Sequence, residues 1–440
     1  MARKRRTFGR PPVESRAAAL RRLCFLLLCA AGLAGLLSCH SGQRSATGTG
    51  SVRSTEASVA PLPTHDAQTL AQGAPAIRVA VLKDARAQIA AGAAEARILG
   101  DSGREIRRLA PNAGVQVLAG PSGLLIEGSS SAEHALRIES LSPADTLRLN
   151  GQDLAPVILI RPATETALRV VAQLDLEEYL LGVLAGEVPF ERWHPEALKA
   201  QAIASRSYAF YQLKRSATEA YDVESTVQSQ VFKAGYRGNT ILSSAVNATR
   251  GLVLTYNGAL FSAYFHSSCG GHTEPARNVF PEQANIKPLS GVPCSFCQNS
   301  PAFRWKMLLD KAALEQKLSA ATPGTSWPKG AQLQSLEFLD AAGAPLPPLT
   351  RANQVSLCYS GGLMHLPGNQ FRLLAGAREL KSLLIERVAD TGPALEISGG
   401  GYGHGVGLCQ YGSQGMAQAG FNYAQVLGKY YPGAALTRMY

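Results

Sequence analysis

The hydrophobic pattern changes its period near residue 175, and this change constrains the fold more than any other feature of the chain. From Ile77 onward, short apolar runs (Ile77 to Leu82, Gly123 to Ile126, Val157 to Ile160, Ala167 to Leu174) recur between Gly, Ser, Asn and Pro breakers. That is the pattern of short strands. Beyond residue 175, Leu176, Leu180, Val183 and Leu184 fall on one helical stripe, with Tyr179 beside them. The pattern predicts an α+β fold, with a β-rich N-terminal region over 76–170 packed with a mixed helix/strand core over 171–440. No repeat of solenoid period interrupts this scheme. With 440 residues, 46% hydrophobic and 17% charged, the chain can build one large or two modest cores, and a wholly disordered chain is excluded.

The formal charge of +11 suggests nucleic acid at first sight, but eight basic residues set against Glu14 place +7 before residue 23 and leave +4 for the rest. That balance does not argue for a nucleic-acid partner. The basic stretch to Arg22 precedes an apolar run from Leu23 to Leu37, too short to span a bilayer comfortably. It reads as an export signal over 1–39. Leu36-Leu37-Ser38-Cys39 resembles the bacterial lipobox, in which the Cys is lipidated and becomes the first mature residue; an uncleaved anchor with an incidental Cys39 is the alternative. Either way the body lies outside the cytoplasm, in the periplasm or cell envelope, and a lipid would tie it to the membrane. Residues 40–75, rich in Ser, Thr, Ala, Gly and Pro, read as a flexible tether.

Seven residues beyond Leu180 on the helical stripe stands Glu187, followed by Val188 and the helix-stopping Pro189. A carboxylate at the apolar end of a helix feels desolvation, which raises its pKa and suits it to general-acid work. A helix-end Glu whose head reaches water is the bland alternative. Pro195 then sits as the first residue of a second helix running to about Leu213, on which Lys199, Ile203, Arg206 and Phe210 share a stripe. Its two cations could hold a polar substrate or be solvated ends.

Leu252 to Tyr256, Asn257-Gly258 and Ala259 to Phe265 predict a β-hairpin, because Asn-Gly supplies the positive φ angles of a two-residue turn. Its second strand leads into a loop from His266 to Thr273. Farther on, the Gly-rich turn from Gly399 to Gly407 precedes a predicted helix from Gln410 to Ala419. The glycines lack the Lys-Ser/Thr of a phosphate loop and the strand-helix frame of a dinucleotide site, which removes nucleotide binding.

The stretch from Leu176 to Pro189, followed by Ala197 to Ala209, resembles the signature of the stage II sporulation protein D and LytB amidase-enhancer family. Ser229-Gln230-Val231-Phe232, the His266 to Thr273 loop and the block from Gly403 to Gly412, running on to Tyr430-Tyr431-Pro432-Gly433, follow in the family's order. What the resemblance implies is peptidoglycan chemistry. Catalytic members are lytic transglycosylases acting on glycan strands stripped of stem peptides, and others stimulate a separate cell-wall amidase. The position matching the family's catalytic acid is Glu187. By the same match Lys199, Gln201, Arg206 and Tyr208 become substrate-positioning candidates, with His404, Gln410 and Tyr411 on a facing wall. Some members bind zinc through Cys and His-Cys just before the Gln-Val-Tyr block; here Val223, Gln228 and Ser229 stand at those places, so that site is expected to be missing.

The chain instead carries Cys269, Cys294-Ser295-Phe296-Cys297 and Cys409. Cys-x-x-Cys is a zinc chelate spacing, and two distant thiolates can complete a structural tetrahedron, with His266 and His272 in reserve. The same four thiols could instead make two disulfides in an exported protein. Cys358, in a predicted strand from Gln354 to Tyr359, is expected to be a buried core thiol. Residues from Lys311 to Pro348 suggest a helix and a loop with no assignable chemistry. Two functional classes stand: an enzyme cleaving peptidoglycan glycan, and a non-catalytic, wall-bound enhancer of an N-acetylmuramoyl-L-alanine amidase.

Overall fold

The computed structural model describes residues 59–67, 73–121, 123–227, 229–320 and 327–440. The leader, Cys39 and Gln228 lie outside them. The fold is α+β, with α-helices α1 Leu176–Glu187, α2 Pro195–Arg215, α3 Thr240–Ala248, α4 Ala276–Val279, α5 Lys311–Ala320, α6 Gly368–Ala375, α7 Gln410–Gln418 and α8 Tyr423–Tyr430. Among the described residues, no helix is long and apolar enough to cross a membrane.

The strands foreseen from the short apolar runs form two packed sheets. One has seven strands in the order Val223–Glu224, Ala76–Asp84, Ala167–Asp175, Val157–Thr164, Leu136–Ser140, Ala96–Leu99, Glu105–Leu109. The other runs Gln152–Ala155, Leu147–Leu149, Arg86–Ala90, Gly114–Gly120, Gly123–Ile126, Ser129–Ser130. Period-two alternation turns Leu168, Val170, Ala172 and Leu174 inward, where they share one apolar cluster with Ile89, Val115 and Val117 of the second sheet.

That cluster also contains Leu176, Leu180, Val183 and Leu184 of α1 and Leu198, Ala202 and Ala209 of α2. The expected division at residue 170 is therefore not a division of cores. Strand Ala167–Asp175 passes through it and runs straight into α1, and Val223–Glu224 returns to pair in parallel with Ala76–Asp84. The expected tether also needs correction at its C-terminal end. Thr64–Asp66 is a strand paired in parallel with Leu436–Arg438, and the Leu62 amide donates to the Ala424 carbonyl at 3.2 Å. Three residues are too few to carry a legible period, so this strand is defined by its partner and not by its pattern.

Asn257 and Gly258 take φ of 50° and 77°, as the hairpin turn requires. The second strand, however, stops at Leu260, and Phe265–His266 pairs instead in parallel with Leu408–Cys409. The His-rich loop and the glycine block are thereby laced together. Ser268 bridges to Tyr402 and Glu274 to Val406, while Gly401, Gly403, Gly405 and Gly407 all take positive φ. At Gly407 a Cβ would come within 2.1 Å of the Tyr264 carbonyl oxygen, so the weave admits only glycine there.

Between these blocks, residues 304–400 form a lobe with its own core. Two three-stranded sheets and helices α5 and α6 close over Trp305, Leu314, Leu318, Phe338, Val355, Leu357, Phe371 and Ile397. The segment from Lys311 that had no assignable chemistry is part of this packing. Cys358 sits on the Gln354–Tyr359 strand as expected, but it is half-buried and not a core thiol. Alternation places Val355 and Leu357 inward and turns Cys358 toward the Gln334 side chain.

Candidate active site

Helix α1 starts at Asp175, whose carboxylate accepts the Glu177 and Glu178 amides, and ends at Glu187. Gly182 and Gly186, one turn apart, strip one face of side chains, and the segment Val231–Lys233 lies directly on it. A Cβ at Gly186 would come within 2.3 Å of the Val231 carbonyl oxygen, and one at Gly182 within 2.4 Å of the Phe232 ring. The Lys233 amide donates to the Gly182 carbonyl at 3.1 Å. This close approach brings the Val231 amide to Glu187 Oε1 at 2.7 Å. On the other oxygen, Gln410 Nε2 donates to Oε2 at 3.5 Å. Burial raises the Glu187 pKa above the ordinary carboxylate value, and these two donors only partly offset it.

The Val231 amide could not be foreseen from side-chain chemistry, because it is a backbone donor. The signal for it was the Gly-x-x-x-Gly spacing within the helix. Gln230 fixes the same segment: it accepts from the Tyr179 hydroxyl at 3.0 Å and donates to the Ser205 carbonyl at 3.3 Å, tying it to α1 and α2.

Several of the expected residues and their neighbours are aromatic and pair with one another. Trp193 meets Tyr411 edge to face at 5.7 Å, and the Gln414 side chain accepts from the His194 amide. Tyr208 packs on Tyr264, which stacks on Phe280 at 4.5 Å and meets His404 edge-on. His404 accepts the Val406 amide at Nδ1, and burial pushes its pKa to about 3, so the imidazole is neutral. Of the expected set, the fold thus brings Gln410 to Glu187 directly and arranges Tyr411, Tyr208 and His404 among aromatic neighbours.

Two expected positioning residues are elsewhere. Arg206 is fully buried and paired with Glu177, and Gln201 is buried with its amide on Ser205 Oγ at 3.0 Å. Both occupy faces of α2 turned into the protein, where no glycan can reach them; this corrects their assignment as substrate contacts. Lys199 is half-buried, held by Glu196 at 2.7 Å and lying over the Tyr423 ring. The expected groove is not the cavity of about 300 Å³ between α1 and residues 232–238, lined by Glu178, Gly182, Lys233 and Arg237. Its lining includes none of the expected site residues.

The four cysteines converge. The Sγ atoms of Cys269, Cys294, Cys297 and Cys409 lie within 4.8 Å of one another, all buried and none in a disulfide. His266 and His272 are outside this set of ligand atoms. His266 turns Nδ1 to the Val406 carbonyl oxygen at 3.0 Å. Cys409 caps α7, and the next residue is Gln410, so the thiol cluster and the Glu187 contact are adjacent in the chain.

A family model described as stage II sporulation protein (SpoIID) matches residues 164–256, which hold α1, α2, α3 and Glu187 but none of the four clustered cysteines. An uncharacterized protein of Brachyspira hyodysenteriae is 32% identical over 292 residues, covering 66% of this chain and 73% of its own. Stage II sporulation protein D of Bacillus subtilis is 30% identical over 330 residues, covering 71% of this chain and 88% of its own. The amidase enhancer of Bacillus subtilis is 31% identical over 299 residues; the match covers 59% of this chain and 40% of that longer protein.

Proposed function

The chain belongs to the stage II sporulation protein D family, and from this premise we propose that it cleaves peptidoglycan glycan strands, stripped of stem peptides, as a lytic transglycosylase with Glu187 as its acid and base. The observation that carries this reading is the environment of Glu187: a carboxyl group at a helix end, raised in pKa by burial and held by two amide donors. Ordinary glycosidases need a carboxylate pair, one as acid and one as nucleophile or base. A single carboxyl group suffices when the sugar supplies the nucleophile. Protonated Glu187 gives its proton to the departing glycosidic oxygen as that bond breaks. The resulting carboxylate then takes the proton of the sugar's 6-hydroxyl as its oxygen bonds to the anomeric carbon, giving an anhydro product without water and returning Glu187 to its protonated form. Oε1 is anchored by Val231 and Oε2 is loosely held, so Oε2 is the oxygen free to carry the proton.

The test is digestion of intact and amidase-treated sacculi by the purified chain, with products analysed by mass. Anhydro-disaccharides released by the wild type and absent with Glu187→Gln support the reading. Equal release by both proteins would remove Glu187 from the reaction. A second reading, a non-catalytic peptidoglycan-binding enhancer of a cell-wall amidase, is favoured by the 31% identity to the protein named amidase enhancer. Stimulation of an added amidase that is unaffected by Glu187→Gln would decide for it.

The leader places this activity outside the cytoplasm, with Cys39 carrying a lipid at the membrane. Changing Cys39 to Ser should move the protein out of the detergent phase and alter its mature mass. An unchanged partition and mass would remove the lipid anchor.

A further inference from the structure

We propose that Cys269, Cys294, Cys297 and Cys409 bind one zinc ion as a closed, structural four-thiolate site, and that the ion fixes the chain segment presenting Gln410. A tetrahedron with Zn–S bonds of about 2.3 Å has edges of about 3.8 Å. The Cys269 and Cys297 sulfurs are 3.5 Å apart, and every pair in the group lies within 4.8 Å. Two disulfides would use two of the six separations and part the remaining sulfurs; here the four sulfurs form one compact group with no pair set aside.

The surroundings are those of anionic sulfur. Cys409 Sγ accepts the amides of Cys269 and Gly412, each at 3.3 Å, and the Tyr430 hydroxyl reaches Cys294 Sγ at 3.1 Å. Such donors orient and tune a thiolate centre. Arg351, from the inserted lobe, brings a buried guanidinium against the group. It donates to the Cys269 carbonyl at 2.8 Å, and its carboxylate partner Glu274 is 3.7 Å away. A zinc ion with four thiolates carries two negative charges and suits a buried cation; two disulfides carry none. Full burial of the ligands leaves no open position for water, so the ion takes no part in proton transfer. Its binding replaces the thiol protons, which pass to solvent.

The three ligand segments are distant in sequence, and the 304–400 lobe is inserted between two of them. The ion would close these segments into one unit and hold Cys409, the cap of α7, immediately before Gln410. The metal assignment is independent of whether Glu187 is catalytic.

The test is elemental analysis of the full chain purified without reductant or chelator, with alkylation of free thiols after denaturation and hydrogen exchange across 265–273 and 408–412. About one zinc per chain is expected, dropping below about a tenth in Cys294→Ser and unchanged in Cys358→Ser. Cobalt exchanged into the wild type should give the charge-transfer and d–d spectrum of a tetrahedral four-thiolate site, a readout that needs no variant to fold. Chelation should expose four alkylatable thiols and speed exchange in both segments. A metal-free protein with two disulfides by mass, stoichiometric iron or copper in place of zinc, or zinc retained by Cys294→Ser would each overturn the proposal.

Discussion

Arg206 grips Glu177 through two parallel bonds, Nε to Oε1 at 2.9 Å and Nη2 to Oε2 at 2.7 Å, in the interior between α1 and α2. The guanidinium also donates to the carbonyls of Val246 and Leu252, while Glu177 accepts from the Gly251 amide and the Tyr440 hydroxyl. One ion pair thus joins α1, α2, the end of α3, the strand at Leu252 and the C-terminus. Arg206→Ala leaves a buried carboxylate without its partner, which costs about 3–5 kcal/mol. Burial pushes the Glu177 pKa up, but the Arg206 bonds outweigh it and the net value lies below the usual carboxylate range. A depressed folded value means that the contribution is present above the unfolded carboxylate pKa and is lost as pH falls through the folded one. Urea unfolding of wild type and Arg206→Ala should show the large difference at neutral pH and a shrinking one as pH falls below the ordinary carboxylate range. A constant gap would show that the charge of Glu177 is not what Arg206 serves.

Glu187 has the opposite sign. Its folded pKa is raised, so its contribution to stability is present below the unfolded carboxylate pKa and is lost as pH rises through the folded value. Glu187→Gln, which cannot ionise, should match the wild type near about pH 4 and be the more stable protein near about pH 7. On the proposed mechanism, in which cleavage begins with the protonated acid, glycan release should fall along the same upper limb. Midpoints of denaturant unfolding at both pH values check the first part, and a pH–rate profile checks the second.

The Val231 bond to Glu187 depends on Gly186. An Ala there would push its Cβ into the Val231 carbonyl, and backbone cannot give way as a flexible side chain would. Displacing the segment removes a hydrogen bond to a carboxylate, worth about 1–3 kcal/mol. Gly186→Ala should therefore lower glycan release roughly tenfold to hundredfold while the far-ultraviolet circular dichroism is preserved. Unchanged release with intact folding would take the Val231 amide out of the site.

The sequence stated the helix that ends at Glu187 almost to the residue, because a long stripe closed by Pro189 carries both phase and terminus. It also paired Cys-x-x-Cys with two distant thiols that the fold brings together. Arg206 was misplaced for a physical reason: spacing shows which residues share a face of α2, not whether that face meets a groove or the flank of α1. The Val231 donor is backbone and has no side-chain signature. The separate core of 304–400 was hidden because its strands, such as Gln354–Tyr359, look locally like any others and only their long-range pairing marks a lobe.

The strand Thr64–Asp66 gives the last prediction. It covers the edge of Ala435–Arg438, the strand whose other side pairs with Leu252–Tyr256. The Ala67 amide donates to the Arg438 carbonyl, the Leu436 amide to Pro63, and Gln425 reaches the Val59 carbonyl. A chain starting at residue 59 keeps all of these; one starting at residue 73 loses them and opens a hydrogen-bonding edge beside the strand that leads to the C-terminus. At roughly 0.5–1.5 kcal/mol for each backbone bond lost, the shorter chain should be less stable by about 2–4 kcal/mol. Because Tyr440 bonds Glu177, loosening this edge also weakens the Arg206 hub, so the deletion and Arg206→Ala should combine to less than the sum of their separate effects. Unfolding the two truncated chains with and without Arg206→Ala measures both quantities; equal stability of the 59- and 73-start chains would return residues 59–67 to the role of a passive tether.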